Sequence, residues 1–151
     1  MSNEVLTNGM TNAPDPDRRV SITIGNTISD MTKVVDLVER FSDAHDIPQA
    51  VRNDLNLCLD ELLNNTISYG YADRGHHSLV VTLSLTDGRL IAEIQDDAKP
   101  FDPRQTTPMP EGGLQARRIG GVGLHFVKTL MDEVGYVRVG PQNVVTISKK
   151  Y

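Results

Sequence analysis

Glu61 and Asn65 stand four residues apart in the run Leu55 to Tyr71, and their types suit two tasks. A carboxylate in reach of a hydroxyl can act as a general base. A neutral side-chain oxygen suits Mg²⁺, a hard cation that takes oxygen ligands and keeps several waters. Further on, Gly120, Gly121 and Gly123 make a glycine-rich turn. If it feeds a helix, it bares backbone N–H groups to an anion at the positive end of the helix dipole. Asp96, where a strand should end, can accept a hydrogen bond from an exocyclic amine such as that of adenine. Each feature has an ordinary alternative: a solvated helix face, a steric need at a helix start, a turn-forming Asp. Together they fit one ligand, a nucleotide with its phosphate chain and cation.

The elements that must position these groups follow from periodicity. At about 100° per residue, Val51, Leu55, Leu59, Leu62, Thr66 and Tyr69 fall on one helical stripe. Asp60 and Asn64 point to the opposite side, and Glu61 and Asn65 lie on the flank, one turn apart. Pro48 suits the first turn of this helix and Gly70 its end. An earlier helix starts at Ser29-Asp30 and carries Val34, Leu37, Val38, Phe41 and Ala44 at helical spacing. Arg19 to Ile24 alternates as a short strand. Leu79, Val81, Leu83 and Leu85, then Asp87-Gly88, then Leu90, Ala92 and Ile94 describe a hairpin. From Asp96 to Ile119 periodicity is lost, as expected for a lid over a site. Gly120-Gly121-Val122-Gly123 opens a helix with Val122, Phe126, Val127, Leu130 and Val134 on its apolar face. A last hairpin joins Tyr136–Gly140 to Val144–Ser148 around Pro141-Gln142-Asn143.

The order β, α, α, β, β, lid, α, β, β predicts an α+β two-layer sandwich: a mixed, mostly antiparallel sheet with helices on one face. The other face must be partly covered or meet a partner. Residues 1–19, polar and carrying Asn, Asp and Pro, form a loose N-terminal tail ahead of one domain over 20–151.

The bulk properties narrow the function classes. A chain of 151 residues, 38% hydrophobic and 23% charged, is a soluble globular protein with room for a core. A formal net charge of −5, without a basic cluster flanked by aromatics, argues against direct nucleic-acid binding. The single cysteine, Cys58, lies on the core side of the central helix and excludes an internal disulfide. His76 and His77 are adjacent and point different ways, and no acidic or cysteine partner is expected nearby, so a metal role is not expected. No apolar run approaches a membrane span and no signal pattern opens the chain, which makes the cytoplasm the expected compartment.

The order of the motifs resembles the GHKL family of ATP-binding domains. Glu61-Leu62-Leu63-Asn64-Asn65 is similar to its N box. Asp96-Asp97-Ala98-Lys99-Pro100-Phe101-Asp102-Pro103 is similar to its first glycine box, and Gly120-Gly121-Val122-Gly123-Leu124 to its second. Tyr69-Gly70-Tyr71, Pro100-Phe101-Asp102 and Thr129 to Val134 resemble the anti-sigma-factor serine kinases of the RsbW and SpoIIAB kind. The resemblance runs from about Val20 to the end, and implies the Bergerat fold with ATP and Mg²⁺. It assigns Asp96 to the adenine amine, with Ala98 beside it, and Asn65 to Mg²⁺. Gly120, Gly121, Val122, Gly123 and Leu124 fall to the phosphates, and Glu61 takes the proton from an attacking serine. Arg117 or Arg118 would steady the γ-phosphate. A sigma factor and a STAS-type anti-anti-sigma protein are the implied partners, with a homodimer formed through the first strand and sheet edge.

Three departures from the family pattern bear on the site. Ala98 stands where glycine is usual, so the backbone near adenine must accept a Cβ. Pro100 replaces the second glycine of the first box. The threonine expected in the last strand falls on Val144 or Val145, with Thr146 on the other face, which predicts weaker or differently arranged contacts around adenine. Beside the kinase stand two other readings: a nucleotide-binding module that switches partners without catalysis, and an interaction protein of the same shape that binds no nucleotide.

Overall fold

A computed structural model describes residues 18–105 and 121–151. Residues 1–17 of the expected tail, most of the lid, Gly120, Arg117 and Arg118 lie outside the described residues. Five strands form one sheet: β1 (Arg19–Gly25), β2 (Ser78–Thr86), β3 (Arg89–Asp96), β4 (Glu133–Val139) and β5 (Gln142–Lys150), in the order β1-β2-β3-β5-β4. All four pairings are antiparallel. Helices α1 (Met31–Ala44), α2 (Gln49–Tyr69) and α3 (Gly121–Leu130) complete the order read from the sequence.

Alternation decides which strand face is buried. Leu79, Val81, Leu83 and Leu85 on β2 and Leu90, Ala92 and Ile94 on β3 form the core with Leu55, Cys58, Leu59 and Leu63 of α2. Asp87 and Gly88 both adopt positive φ (51° and 73°), the two-residue turn whose twist matches the flanking strands. Asp96 continues the even-numbered set of β3, so its carboxylate faces the helices where the next apolar residue would sit.

Helices α1 and α2 are fixed to each other by Arg52. Its guanidinium donates from Nε and Nη2 to the Ile47 carbonyl (3.0 and 2.8 Å). Nη1 reaches Asp43 (2.6 Å) and Glu39 (3.2 Å) on α1. The Lys149 ammonium ties β5 to α3 and α2, donating to the Leu130 carbonyl at 2.6 Å and pairing with Asp54 at 3.3 Å.

Two expectations are corrected. Helix α3 ends at Leu130, and Val134, expected on its apolar face, belongs to β4. Leu124, Val127 and Met131 turn to the core, while Phe126 is exposed. The last hairpin turns at Gly140 (φ 58°), so Gln142 and Asn143 are strand residues and not part of the turn. Val137 and Val139 on edge strand β4 are more than half exposed on the sheet face away from the helices.

Candidate nucleotide site

A cavity of about 120 Å³ lies between the C-terminal half of α2 and the Asp96 end of the sheet. Ile94 and Val145, direct partners across the β3–β5 ladder, form its floor. Leu62, Asn65, Thr66, Tyr69 and Gly70 supply the helix wall, and Ala98, Lys99, Phe101 and Pro103 the opposite rim. Thr66 and Tyr69, expected on the packed stripe of α2, are half-buried and exposed because that stripe runs out over the cavity.

Asp96 and Asn143 close the end of the cavity. They are opposed residues of β3 and β5, both nearly fully buried. One carboxylate oxygen of Asp96, Oδ1, accepts from the Ala98 amide (3.0 Å) and from Asn143 Nδ2 (2.9 Å). Oδ2 has no hydrogen bond among the described residues. Burial pushes the Asp96 carboxyl above its ordinary value, while the Asn143 and Ala98 hydrogen bonds oppose that rise. Sequence reasoning missed Asn143, because an Asn after Gly-Pro-Gln looks like part of a turn. Neither Val144 nor Val145 offers a polar side chain there; the polar side chain beside Asp96 on β5 is that of Asn143. Val145 is apolar floor, and Thr146 lies on the outer sheet face beside Gly135.

Asn65 lines the cavity, and its side chain makes no hydrogen bond among the described residues. Glu61 lies one turn further towards the N-terminus of α2, half-buried, and is not part of the cavity wall. Burial, with the neighbouring charge of Asp60 adding to it, raises the Glu61 carboxyl above the usual range. Among the described residues no group of three or more His, Cys, Asp or Glu side chains could hold a metal. What fits a magnesium ion is one neutral oxygen, from Asn65, next to space that phosphates and waters would fill. Gly121 starts α3 and Gly123 lies in its first turn, followed by buried Leu124.

Ala98 is accommodated by Gly70. A Cβ at Gly70 would come within 2.8 Å of the Ala98 Cβ, so the bare helix end leaves the space that Ala98 fills. The Lys99 amide donates to the Gly70 carbonyl at 3.0 Å and fixes this contact. Gly70 itself sits at φ −80° and needs no left-handed conformation.

His77 does have acidic partners, contrary to expectation. Nε2 lies 2.7 Å from Asp73 and Nδ1 3.2 Å from Asp97, and the Tyr71 ring stacks on the imidazole at 4.1 Å. The folded chain returns Asp97 to the loop after α2. The pair of carboxylates raises the His77 pKa, Asp73 contributing most. Cys58 is fully buried, and desolvation pushes its thiol up to about 12, which leaves it inert as a nucleophile.

The profile of the histidine kinase-like ATPase domain matches residues 24–149. The chain belongs to that family. The resemblance read from its N box and glycine boxes therefore holds, and so does the α+β fold it implied. Among curated relatives, the serine/threonine-protein kinase BtrW of Bordetella bronchiseptica is 29% identical over 99 residues, 65% of this chain and 70% of that one. The serine-protein kinase RsbW of Listeria monocytogenes is 26% identical over 86 residues, and the match spans about half of each chain (54% and 55%). Two solved structures share the fold. The RsbU and RsbW domains of a Mycobacterium tuberculosis protein superpose with a TM-score of 0.62 at 19% identity, covering 91% of this chain and 33% of that one. The SiaB–SiaC complex from Pseudomonas aeruginosa gives a TM-score of 0.52 at 10% identity, covering 100% and 99%. Among the described residues no helix is long and apolar enough to cross a membrane.

Proposed function

We propose that this chain is an ATP-dependent serine/threonine protein kinase of the anti-sigma type. It binds ATP with Mg²⁺, phosphorylates a STAS-type anti-anti-sigma protein on serine, and sequesters a sigma factor. It acts in the cytoplasm as a homodimer. The observation that carries this reading is the open Oδ2 of Asp96 at the end of an apolar slot whose helix wall presents Asn65, with Glu61 one turn on. An adenine ring suits the apolar slot, and its amine is the donor that Oδ2 lacks. Asn65 would hold the Mg²⁺, which neutralises charge on the phosphate chain. The amides of Gly121, Gly123 and Leu124 would meet the phosphates, together with Gly120 and Val122 and with Arg118 beside the γ-phosphate. Glu61 would take the proton as the serine Oγ bonds to the γ-phosphorus and the bond to the leaving ADP oxygen breaks.

The names of the relatives support the kinase class. A second reading, an ATP-binding switch without catalysis, draws on one observation: Glu61 lies outside the cavity wall. Two measurements separate them. ATP with Mg²⁺ at 100 times its Kd should stabilise the fold by about 2.7 kcal/mol. Label from γ-³²P ATP should then pass to a candidate STAS partner with the wild-type chain and not with Glu61→Gln. Stabilisation without transfer leaves the switch; absence of both removes nucleotide binding altogether.

A further inference from the structure

We infer that Asn143 is a positioning residue that decides which purines the cavity takes, by occupying Oδ1 of Asp96 and leaving Oδ2 to accept from a 6-amino group. The inference rests on the nucleotide reading above and adds a determinant within it.

The orientation of the Asn143 amide is dictated by its surroundings. Its Oδ1 accepts from the Tyr136 hydroxyl (2.6 Å) and from Arg138 Nη1 (3.1 Å). The guanidinium can only donate, so the group facing it must be the amide oxygen. On the other side, Nδ2 faces three acceptors: Asp96 Oδ1 at 2.9 Å, the Lys99 carbonyl at 3.0 Å and the Ala98 carbonyl at 3.2 Å. Rotating the amide by half a turn would set an NH₂ against Arg138 and an oxygen against a carboxylate and two carbonyls. Arg138 Nη1 also donates to the Ala98 carbonyl at 2.8 Å, so the strand behind the rim and the amide are held by one cation. Asp96 thus cannot swing: one of its oxygens has two donors and the other points into the slot.

This arrangement discriminates at position 6 of a purine. An ionised carboxylate accepts from an amine and repels a 6-oxo group. A neutral acid could donate to the 6-oxo group instead. Hydrogen bonds from Asn143 and Ala98 favour the ionised form. Charged and titratable groups around Asp96 divide: Arg138 favours the anion, while Asp97 and the buried phenol of Tyr71 do not stabilise it. Without Asn143 the balance moves towards the neutral acid, and selection against a 6-oxo purine weakens.

ATP and inosine triphosphate differ at this position and share the ribose and phosphates, so their ratio of affinities isolates it. Titration calorimetry with Mg²⁺ on the full chain should show a wild-type preference for ATP of about 10²-fold or more. In Asn143→Ala the preference should fall about tenfold, the equivalent of one hydrogen bond, and fall further at pH 6 than at pH 8. Tyr136→Phe, which keeps the ring and removes one of the two donors that hold the Asn143 amide oxygen, should move the ratio the same way by a smaller factor. It carries the test should Asn143→Ala not fold. Folded variants that lose affinity for both nucleotides equally would reduce Asn143 to a structural role and overturn the inference. A wild-type chain that binds both equally would overturn it while leaving nucleotide binding intact. A wild-type chain that binds neither would remove the nucleotide reading itself, and this inference with it.

Discussion

Gly70 and Ala98 share one space: the glycine at the end of α2 lacks the Cβ that the alanine after β3 supplies. A methyl group at position 70 would also meet the Thr66 carbonyl at 2.5 Å. Gly70→Ala is therefore expected to cost about 1–3 kcal/mol, as overpacking does. Denaturant unfolding should show this loss, and Ala98→Gly in the same chain should restore only part of it, because the clash with the Thr66 carbonyl remains. Wild-type stability in Gly70→Ala would mean that the two positions do not compete. Both residues line the cavity, so the single variant should also show less stabilisation by ATP than wild type.

Glu61 is raised by burial first and by Asp60 second. If it is the base, it must be ionised to act. The rate of phosphoryl transfer should then rise with pH through a midpoint above the ordinary glutamate value. Asp60→Asn removes a neighbouring negative charge and should move that midpoint to lower pH. Glu61→Gln should lower kcat by about 10²–10⁴-fold, the usual contribution of a positioned base. A pH–rate profile unchanged by Asp60→Asn would separate Glu61 from the rate-limiting proton transfer.

The His77 contacts predict a pH-dependent stability. Its folded pKa is raised above the unfolded value by Asp73 and then Asp97. The stabilisation is fully present below the unfolded histidine value and is lost as pH rises through the folded one. Asp73, lowered chiefly by His77, contributes above its own unfolded value and loses that contribution as pH falls. The stability difference between wild type and His77→Gln should thus be larger at about pH 5.5 than at about pH 9, since ordinary values are near 6.5 for His and 3.9 for Asp. Thermal melts at the two pH values read it directly, and an equal difference at both would mean that the imidazole carries no charge in this loop.

Much of the site was legible because it extends simple periodicities. Asp96 continues the alternation of Leu90, Ala92 and Ile94, and Asn65 continues the helical spacing of α2. What escaped depends on contacts between distant segments. Asn143 looks like a turn residue until the β3–β5 register sets it opposite Asp96. The end of α3 at Leu130 is set by β5: Lys149 takes the Leu130 carbonyl, and the Asp132 amide donates to Ser148. Asp97 reaches His77 only because the β2–β3 hairpin returns the chain to the loop where it began. Ala98, which looked like a strain on the backbone, is relieved by a glycine 28 positions earlier.

The two-residue turn at Asp87-Gly88 governs more than the hairpin it closes. Side chains on a strand change sides with every residue, so one amino acid inserted there, with the β2 pairing kept, would exchange the two sides of β3 from Arg89 onwards. Leu90, Ala92 and Ile94 would be sent towards water, and the Asp96 carboxylate would leave the slot for the opposite surface. The side of β3 on which Asp96 lies is thus set by odd-or-even counting from a bend at the other end of its strand.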